Sequence, residues 1–256
     1  MNSKYGIAGK VWEIAYPVLM YYTAISIGIL IAQMIFGGGN ENYMLCKIIG
    51  SLIAIPVVFT DYKRDLMLTG RYKQKEVFTK ETWINIGFVI MITLFLSVAL
   101  NNIISMSPLV SMSQEYQDAN DAFYGSTIGL ELLGSALITP FLEELLHRGV
   151  VFGRLRRMMG VMPSVLISAL IFAGLHFNIV QFIYAFLLGV VFALFMEKSK
   201  RLYPAVIAHI VANGLAVIRT ETGFLAWTVD GSVLAWLISI VLLVVGCVGL
   251  SIYYKK

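Results

Sequence analysis

Charged residues are scarce in this sequence, and their scarcity excludes a soluble globular domain. Only 13% of the 256 residues are Asp, Glu, Lys or Arg, whereas 59% are hydrophobic and the mean hydropathy is +0.81. Soluble domains usually contain about 25% charged residues. The composition therefore predicts a protein that crosses a membrane several times.

Cysteine is also rare, which excludes a disulfide framework and a cysteine-rich metal site. The two cysteines, Cys46 and Cys247, both fall in apolar stretches and are predicted to be small core residues. The net charge is only +4, and acidic residues interrupt the basic connection at 61–82. We therefore expect a solvated cytoplasmic loop there and no nucleic-acid partner.

Apolar stretches of helical length divide the chain into about eight segments. The expected positions are 11–36, 43–60, 83–107, a fourth helix that begins near residue 127, 162–177, 179–196, 202–219 and 233–254. The first stretch exceeds a signal-peptide core in length and is interpreted as a span. We predict an all-α, polytopic membrane protein, with one integral domain over residues 1–256.

The basic residues predict the orientation of the chain in the membrane. If both termini face the cytoplasm, all but two of the 19 lysines and arginines lie in the cytoplasmic half. The exceptions are Lys47, interpreted as a lysine that extends its amine to the interface near Glu41, and Arg219, assigned to an outer loop. We therefore expect an N-in, C-in arrangement.

Two adjacent carboxylates lie inside the apolar stretch of the fourth helix. Glu143 and Glu144 occur in FLEELLHRGVVF, and Arg148 follows Glu144 by four residues. Ionisable groups at membrane depth are costly and usually face a bundle interior or an aqueous cavity. The i, i+4 spacing predicts an ion pair between Arg148 and Glu144, which leaves Glu143 for chemistry. His147 has the same spacing from Glu143 and is the less favoured partner.

Two further histidines can reach the depth of Glu143. At a rise of about 1.5 Å per residue, Glu143 lies roughly 17–21 Å and His176 about 20 Å from the cytoplasmic interface. His209 lies about 12 Å from that interface, with Asn213 one turn deeper. A buried carboxylate beside imidazoles can deprotonate water, and a His/Asn pair can donate hydrogen bonds to an oxyanion. These residues predict a peptide hydrolase.

Three motifs on successive segments resemble those of the CAAX prenyl endopeptidase and bacteriocin-processing family of intramembrane proteases, also called Abi proteins. They are EExxxR (Glu143, Glu144, Arg148), FxxxH (Phe172, His176) and HxxxN (His209, Asn213). The resemblance covers about residues 127–217, the motif-bearing core. It implies an eight-helix endopeptidase in which Glu143 and His176 activate water and His209 with Asn213 stabilises the oxyanion. Glu144 is counted in the same catalytic set, Arg148 as a structural ion pair and Phe172 as packing around the site.

The motif residues leave two enzyme mechanisms and two other classes of protein open. The preferred interpretation uses no metal or other cofactor. In the alternative, Glu143, His176 and His209 bind Zn²⁺ as a His₂Glu set, although the sequence lacks HExxH and the ligands would come from three helices. A non-catalytic immunity factor or scaffold remains possible, and a transporter is less favoured because no paired broken helices are recognisable.

The expected partners are a peptide substrate and the lipid bilayer. A CAAX-type lipidated peptide, a bacteriocin precursor or another small membrane peptide would each suit an aqueous cavity. The sequence is compatible with a bacterial plasma membrane, with the site open to the cytoplasm or to lipid. No oligomeric state is predicted.

Overall fold

The computed structural model describes residues 6–72 and 78–255, and every regular element within them is a helix. In chain order these are α1 (Ile7–Phe36), α2 (Asn40–Leu68), α3 (Lys80–Ser105), the short α4 (Leu109–Met112) and α5 (Gln114–Phe123), α6 (Ile128–Met158), α7 (Val161–Gly174), α8 (Ile179–Ser199), α9 (Tyr203–Thr222), a 3₁₀ turn (Ala226–Val229) and α10 (Val233–Lys255). The predicted all-α membrane fold with about eight long helices is confirmed. Four basic residues used for the orientation lie outside the described residues: Lys4, Lys73, Lys75 and Lys256.

Most of the long helices are long and apolar enough to cross a membrane. Within the described residues six qualify individually, namely α1, α2, α3, α8, α9 and α10. A seventh span is possible if α5 and α6, which are bent by 109° at their junction, are counted together. Helix α7 has 14 residues, about 21 Å, and is too short for a ~30 Å hydrocarbon core. The chain is an integral, multi-pass membrane protein, and its N-in, C-in orientation stays a prediction.

Helix α2 continues beyond the predicted end of the second span, and one face of its last turns is buried. Asp61 and Asp65 are 7% and 6% exposed. They accept hydrogen bonds from Arg154 of α6 at 2.9 and 2.7 Å, respectively. The solvated loop expected from residue 61 is therefore wrong for its first residues. Two carboxylates one helical turn apart form a site that matches the planar guanidinium of Arg154.

Helices α1 and α2 cross closely because two glycines face each other. A methyl group at Gly28 would lie 2.7 Å from the Cα atom of Gly50. Small residues allow close approach of helices in a membrane, where apolar side chains gain little by leaving lipid. This crossing brings Tyr22 of α1 and Lys47 of α2 into the wall of one cavity.

Buried polar side chains join α3, α9 and α10 away from that cavity. Asn102 accepts a hydrogen bond from Arg219 at 2.7 Å and donates one to Ser239 at 3.1 Å. Thr228 donates to Asn102 at 3.2 Å. The assignment of Arg219 to an outer loop was wrong, because its guanidinium finds partners between helices. Such hydrogen bonds specify which helices are neighbours inside a bilayer.

The two cysteines have different environments. Cys46 of α2 is buried, whereas Cys247 of α10 is exposed, and neither forms a disulfide. The prediction of two core cysteines is therefore wrong for Cys247. Helix α10 packs mainly against α3, so its opposite face is left for the surrounding lipid.

Candidate active site

Helix α6 departs from α-helical geometry on both sides of the glutamate pair. Leu132–Ile138 and Leu145–Phe152 are π-helical, and the α-helical segment Thr139–Glu144 lies between them. π-Helical turns are rare and occur frequently at functional sites. The hydrophobic periodicity did not predict them. Their wider turns change which side chains share a face of α6, so the detailed direction of each site residue could not be read from spacing.

A cavity of about 470 Å³ lies between the helices at the level of Glu143. This volume is within the ~300–1,000 Å³ of small-molecule pockets. Side chains from α1, α2, α3, α5, α6, α7, α8 and α9 and from the α7–α8 turn line the cavity. Among the described residues in this wall, Glu143 is the only carboxylate and Lys47 is the only lysine or arginine. The described part of the wall therefore combines one carboxylate, Glu143, with one amine, Lys47.

A chain of ionisable side chains leads from Glu143 away from the cavity. The Glu143 Oε2 atom lies 3.7 Å from Nε2 of His209. Nδ1 of the same imidazole is 2.8 Å from Oε1 of Glu144, and Arg148 Nη1 donates to that oxygen at 2.7 Å. The side chains of Glu144 and Arg148 are 0% exposed, compared with 16% for Glu143. Glu143 therefore faces the cavity, whereas Glu144 lies behind the wall.

The contact with Glu144 defines the chemical role of each His209 nitrogen. A carboxylate oxygen accepts hydrogen bonds, so Nδ1 of His209 is the donor to Glu144. The Nε2 atom then points toward Glu143, and it has a lone pair in the neutral imidazole and a proton in the imidazolium. Phe192 stacks on the ring with centroids 5.1 Å apart, which restricts its rotation. The Nε2 atom of His209 is therefore the ring nitrogen that is available to a group in the cavity.

Arg148 is held from several sides. Its Nη1 atom binds Glu144, and Nη2 donates to the carbonyl of Gly189 at 2.9 Å. The guanidinium carbon lies 4.5 Å from the centroid of the Phe172 ring and 5.4 Å from that of Phe192. The ion pair expected from the i, i+4 spacing is present and fully buried. Removal of either partner would leave an uncompensated charge among apolar side chains.

Phe172 separates three imidazole rings. The ring centroids of His147, His176 and His209 lie 5.0, 5.1 and 5.5 Å from that of Phe172, all in edge-to-face arrangements. Edge-to-face packing is favourable because the ring edge is positive and the face negative. The Phe172 ring therefore packs between the three histidines, and it also contacts the guanidinium of Arg148.

His176 lies in the cavity wall but does not contact Glu143. It follows the last turn of α7, where its Nδ1 atom donates to the carbonyl of Phe172 at 3.1 Å. Within the described residues no hydrogen bond or ion pair joins it to Glu143, whose nearest charged or imidazole partner is His209. Both residues nevertheless line the same cavity, and their expected joint action on a water molecule stays a prediction. One nitrogen of His176 satisfies a carbonyl at the helix end, and Nε2 remains for the cavity.

Asn213 is one turn beyond His209 on α9, as the HxxxN spacing predicted. Its Nδ2 atom donates to the carbonyl of Ser135 on α6 at 2.8 Å, and its side chain lines the cavity. A carboxamide nitrogen has two N–H donors. One of them is therefore left to interact with a group inside the cavity.

His147 has a larger part in the site than the sequence indicated. Its Nδ1 atom donates to the backbone carbonyl of Glu143 at 2.8 Å. The ring lines the cavity wall and is 2% exposed, and its Nε2 atom makes no hydrogen bond within the described part of the chain. The i, i+4 spacing between Glu143 and His147 was the feature of the sequence that indicated this contact. The contact positions the backbone at Glu143, not its carboxylate.

Lys47 faces the cavity, which contradicts its interpretation as an interfacial lysine. Its Nζ atom lies 3.9 Å from the centroid of the Phe123 ring. The short helix α5, which carries Phe123, also lines the cavity. The sequence could not predict this contact, because the direction of α5 depends on its sharp angle to α6.

The donor set of the zinc alternative does not fit a metal ion in the present arrangement. Zinc ligands lie about 2.0–2.2 Å from the ion and surround it tetrahedrally. No group of three or more His, Cys, Asp or Glu side chains within residues 6–72 and 78–255 is arranged to hold a metal.

The segment that carries the motifs matches a known protein family. Residues 125–215 match the family described as Type II CAAX prenyl endopeptidase Rce1-like. This segment contains all seven motif residues and overlaps the core at 127–217. The resemblance inferred from the motifs is therefore confirmed over this part of the chain.

Two curated proteins are similar to the same part of the chain. The chain is 37% identical over 90 residues to "Membrane-embedded CAAX protease MroQ" of Staphylococcus aureus (strain USA300). It is 29% identical over 91 residues to "Putative membrane peptidase YdiL" of Bacillus subtilis (strain 168). The alignments cover 32% and 36% of this chain and 36% and 37% of the two relatives, so about a third of each relative is matched. No solved structure gives a significant match.

Proposed function

We propose that this chain is an intramembrane endopeptidase that hydrolyses a peptide bond of a membrane-associated peptide. The observation that carries the proposal is the Glu143 carboxylate in a cavity between membrane helices, 3.7 Å from His209. A carboxylate and an imidazole at this separation can exchange a proton through a water molecule. The match to a family of endopeptidases supports the same chemistry.

In the proposed reaction Glu143 is the general base. Its carboxylate takes a proton from water, and the water oxygen forms a bond to the carbonyl carbon of the scissile peptide. The resulting tetrahedral intermediate has its negative charge on the former carbonyl oxygen. When the C–N bond breaks, Glu143 returns the proton to the amide nitrogen, so the products are a carboxylic acid and an amine.

The imidazoles and Asn213 are proposed to stabilise the charge that develops in this reaction. Protonated His209 and the second N–H of Asn213 donate hydrogen bonds to the oxyanion, and His176 orients the water through Nε2. Glu144 and Arg148 act through His209, because they hold its Nδ1 proton and ring direction without reaching the cavity. Such preorganised donors typically contribute about 10²–10³-fold each to kcat.

The proposed mechanism needs no metal ion, and the substrate is a peptide or lipidated peptide held at membrane depth. The curated relatives come from bacteria, which supports a location in a bacterial plasma membrane. We expect hydrolysis to persist after the purified protein has been treated with a chelator. Loss of activity that Zn²⁺ restores would favour the zinc alternative.

The proposal is tested with Glu143→Gln, which removes the base but keeps the shape of the side chain. Membrane peptides from cells with wild-type protein and with this variant would be compared by mass spectrometry, with the level of each protein measured in the membrane. Peptides that shorten only with the wild type are expected, because the variant cannot deprotonate water.

Glu131→Gln is the matched control. Glu131 is a buried carboxylate of the same helix, and it lies outside the cavity wall. This variant should process the same peptides as the wild type. Full processing by Glu143→Gln, or equal loss in both variants, would contradict the proposal and favour a non-catalytic membrane protein.

A further inference from the structure

The only lysine or arginine among the described cavity residues has no part in the proposed hydrolysis. Lys47 lines the same cavity as Glu143 but belongs to α2, whereas the proposed catalytic residues belong to α6, α9 and the turn after α7. Within the described residues its amine makes no hydrogen bond and no ion pair. The amine lies over the face of the Phe123 ring. The cavity thus contains an ammonium group that no protein carboxylate neutralises directly.

The surroundings of Lys47 hold its side chain in the cavity wall. Tyr43 precedes it by one helical turn on α2, and both residues contact Phe123 of α5. The centroids of the Tyr43 and Phe123 rings are 5.5 Å apart. A cation is attracted to the negative face of an aromatic ring, but the ring supplies no hydrogen-bond acceptor for the N–H groups. The ammonium donors remain free for a bound group.

An ammonium inside a membrane protein is expensive unless a counter-charge is near. Lysines within membrane segments usually pair with an acid or line a path for a charged ligand. Glu143 is the only carboxylate among the described wall residues, and no ion pair joins it to Lys47. Glu143 must also stay free to accept a proton in the proposed reaction. A negative group brought by the ligand would therefore satisfy Lys47 without inactivating Glu143.

We propose that Lys47 binds a carboxylate of the substrate and thereby selects peptides that bear a negative charge near the bond to be cleaved. This inference rests on the proposed function for its catalytic consequence, but not for the binding itself. An ammonium–carboxylate hydrogen bond is among the stronger polar contacts, especially where water is excluded. Lys47 would anchor one part of the peptide while Glu143 acts on another part in the same cavity.

The carboxylate has two possible sources, the C-terminus of the peptide and an acidic side chain. Two pairs of lipidated, fluorescent peptides distinguish these two sources. The peptides of the first pair differ only in a C-terminal carboxylate or carboxamide, and those of the second pair differ only in an internal Glu or Gln. Binding of each would be measured at equilibrium in detergent by fluorescence anisotropy, in the Glu143→Gln background, which holds the peptide without cleaving it.

We expect one carboxylate peptide to bind roughly tenfold more tightly than its amide counterpart, as for a single charge-assisted hydrogen bond. Lys47→Met should remove this preference and leave binding of the amide unchanged, whereas Lys47→Arg should keep most of the preference. The control is Lys198→Met, because Lys198 is an exposed lysine that contacts the carbonyl of Tyr254 outside the cavity. This variant should bind like its parent. The inference is wrong if neither carboxylate is preferred, or if the preference survives in Lys47→Met.

Cleavage measured in parallel distinguishes this inference from the proposed function. With Glu143 intact, Lys47→Met should raise KM for the preferred carboxylate peptide by about tenfold and leave kcat nearly unchanged. A Lys47-dependent binding preference without cleavage by the wild type would support the carboxylate site and count against the protease. Cleavage without any carboxylate preference would support the protease and overturn the carboxylate site.

Discussion

Helix α6 carries two buried arginines whose comparison separates a functional site from a structural contact. Arg148 pairs with Glu144 of its own helix at 2.7 Å, and Arg154 pairs with Asp61 and Asp65 of α2 at 2.9 and 2.7 Å. Both guanidinium groups are almost completely buried. Burial and charge pairing alone therefore do not identify which arginine belongs to the site.

The two regions differ in how completely their polar atoms are satisfied. Around Arg148, the buried atoms Glu144 Oε2, Arg148 Nε and His147 Nε2 make no hydrogen bond within the described residues. By contrast, no buried side-chain nitrogen or oxygen of Asp61, Asp65 or Arg154 lacks a hydrogen-bond partner. Unsatisfied buried atoms are rare in native structures and are often explained by function. The network beside the cavity is therefore incomplete, whereas the one around Arg154 is complete.

The largest effect is expected from Arg148→Met. It leaves Glu144 as a buried charge with only His209 as a partner, which should cost about 3–5 kcal/mol of stability. Thermal unfolding in detergent would measure this loss. The double variant Arg148→Met, Glu144→Gln also removes the Glu144 charge, so most of the lost stability should return. Both variants should be inactive, because Arg148, and in the double variant also the Glu144 carboxylate, no longer directs His209. Recovery of activity in the double variant would contradict the role assigned to Glu144 in directing His209.

A smaller loss is expected from Arg154→Met. Arg64 and Arg157 still contact Asp61 and Asp65, respectively, so the carboxylates keep a cation each. We expect a loss of about 1.5–3 kcal/mol, as for hydrogen bonds to charged groups. Activity per folded molecule should remain near that of the wild type. A correctly folded Arg154→Met protein without activity would show that the two arginines do not differ as proposed.

Gly189→Ala sharpens the comparison because it acts on Arg148 without changing a charge. An added methyl group would lie 3.0 Å from Nη2 of Arg148 and 3.2 Å from the Phe172 ring. Overpacking of this kind typically costs about 1–3 kcal/mol, and displacement of Arg148 should also reduce kcat. The matched control is Gly153→Ala in α6, where the nearest atom is 3.9 Å away. That variant should be neutral, or more stable by up to about 1 kcal/mol, since alanine favours helix.

The smallest effect is expected from His147→Phe. The substitution removes the hydrogen bond to the Glu143 carbonyl and also the unpartnered Nε2 atom. These changes oppose each other, so stability should change by less than about 1 kcal/mol. We expect kcat to fall about tenfold, because the backbone at Glu143 loses one hydrogen bond that positions it. Complete loss of activity at unchanged stability would instead assign His147 a direct part in the chemistry.

The helical arrangement was largely predictable because lipid imposes it. Backbone hydrogen bonds must be satisfied inside each segment, so long apolar stretches become helices. The i, i+4 spacing also predicted the pairing of Glu144 with Arg148, and the HxxxN spacing placed Asn213 one turn from His209. These relations are local, and helical geometry determines them.

Predictions that depended on contacts between distant segments were less successful. Asp61 and Asp65 looked like part of a solvated loop because Arg154 is 89 positions away from the nearer one. The sequence also did not indicate that His209 is the imidazole beside Glu143, whereas His176 uses one nitrogen at its own helix end. Lys47 of α2 faces the cavity, where its amine contacts the Phe123 ring of α5.

By itself, the sequence determined a helical membrane protein and the set of side chains that form its polar centre, since hydropathy and short-range spacing depend on neighbouring residues alone. Only the tertiary structure decided how those side chains are ordered, with Glu143 at the cavity, His209 beside it and Glu144 with Arg148 behind. It also decided that Lys47 shares this cavity. The reason is physical: contacts between helices depend on crossing points, bends and π-helical turns, and hydropathy specifies none of these.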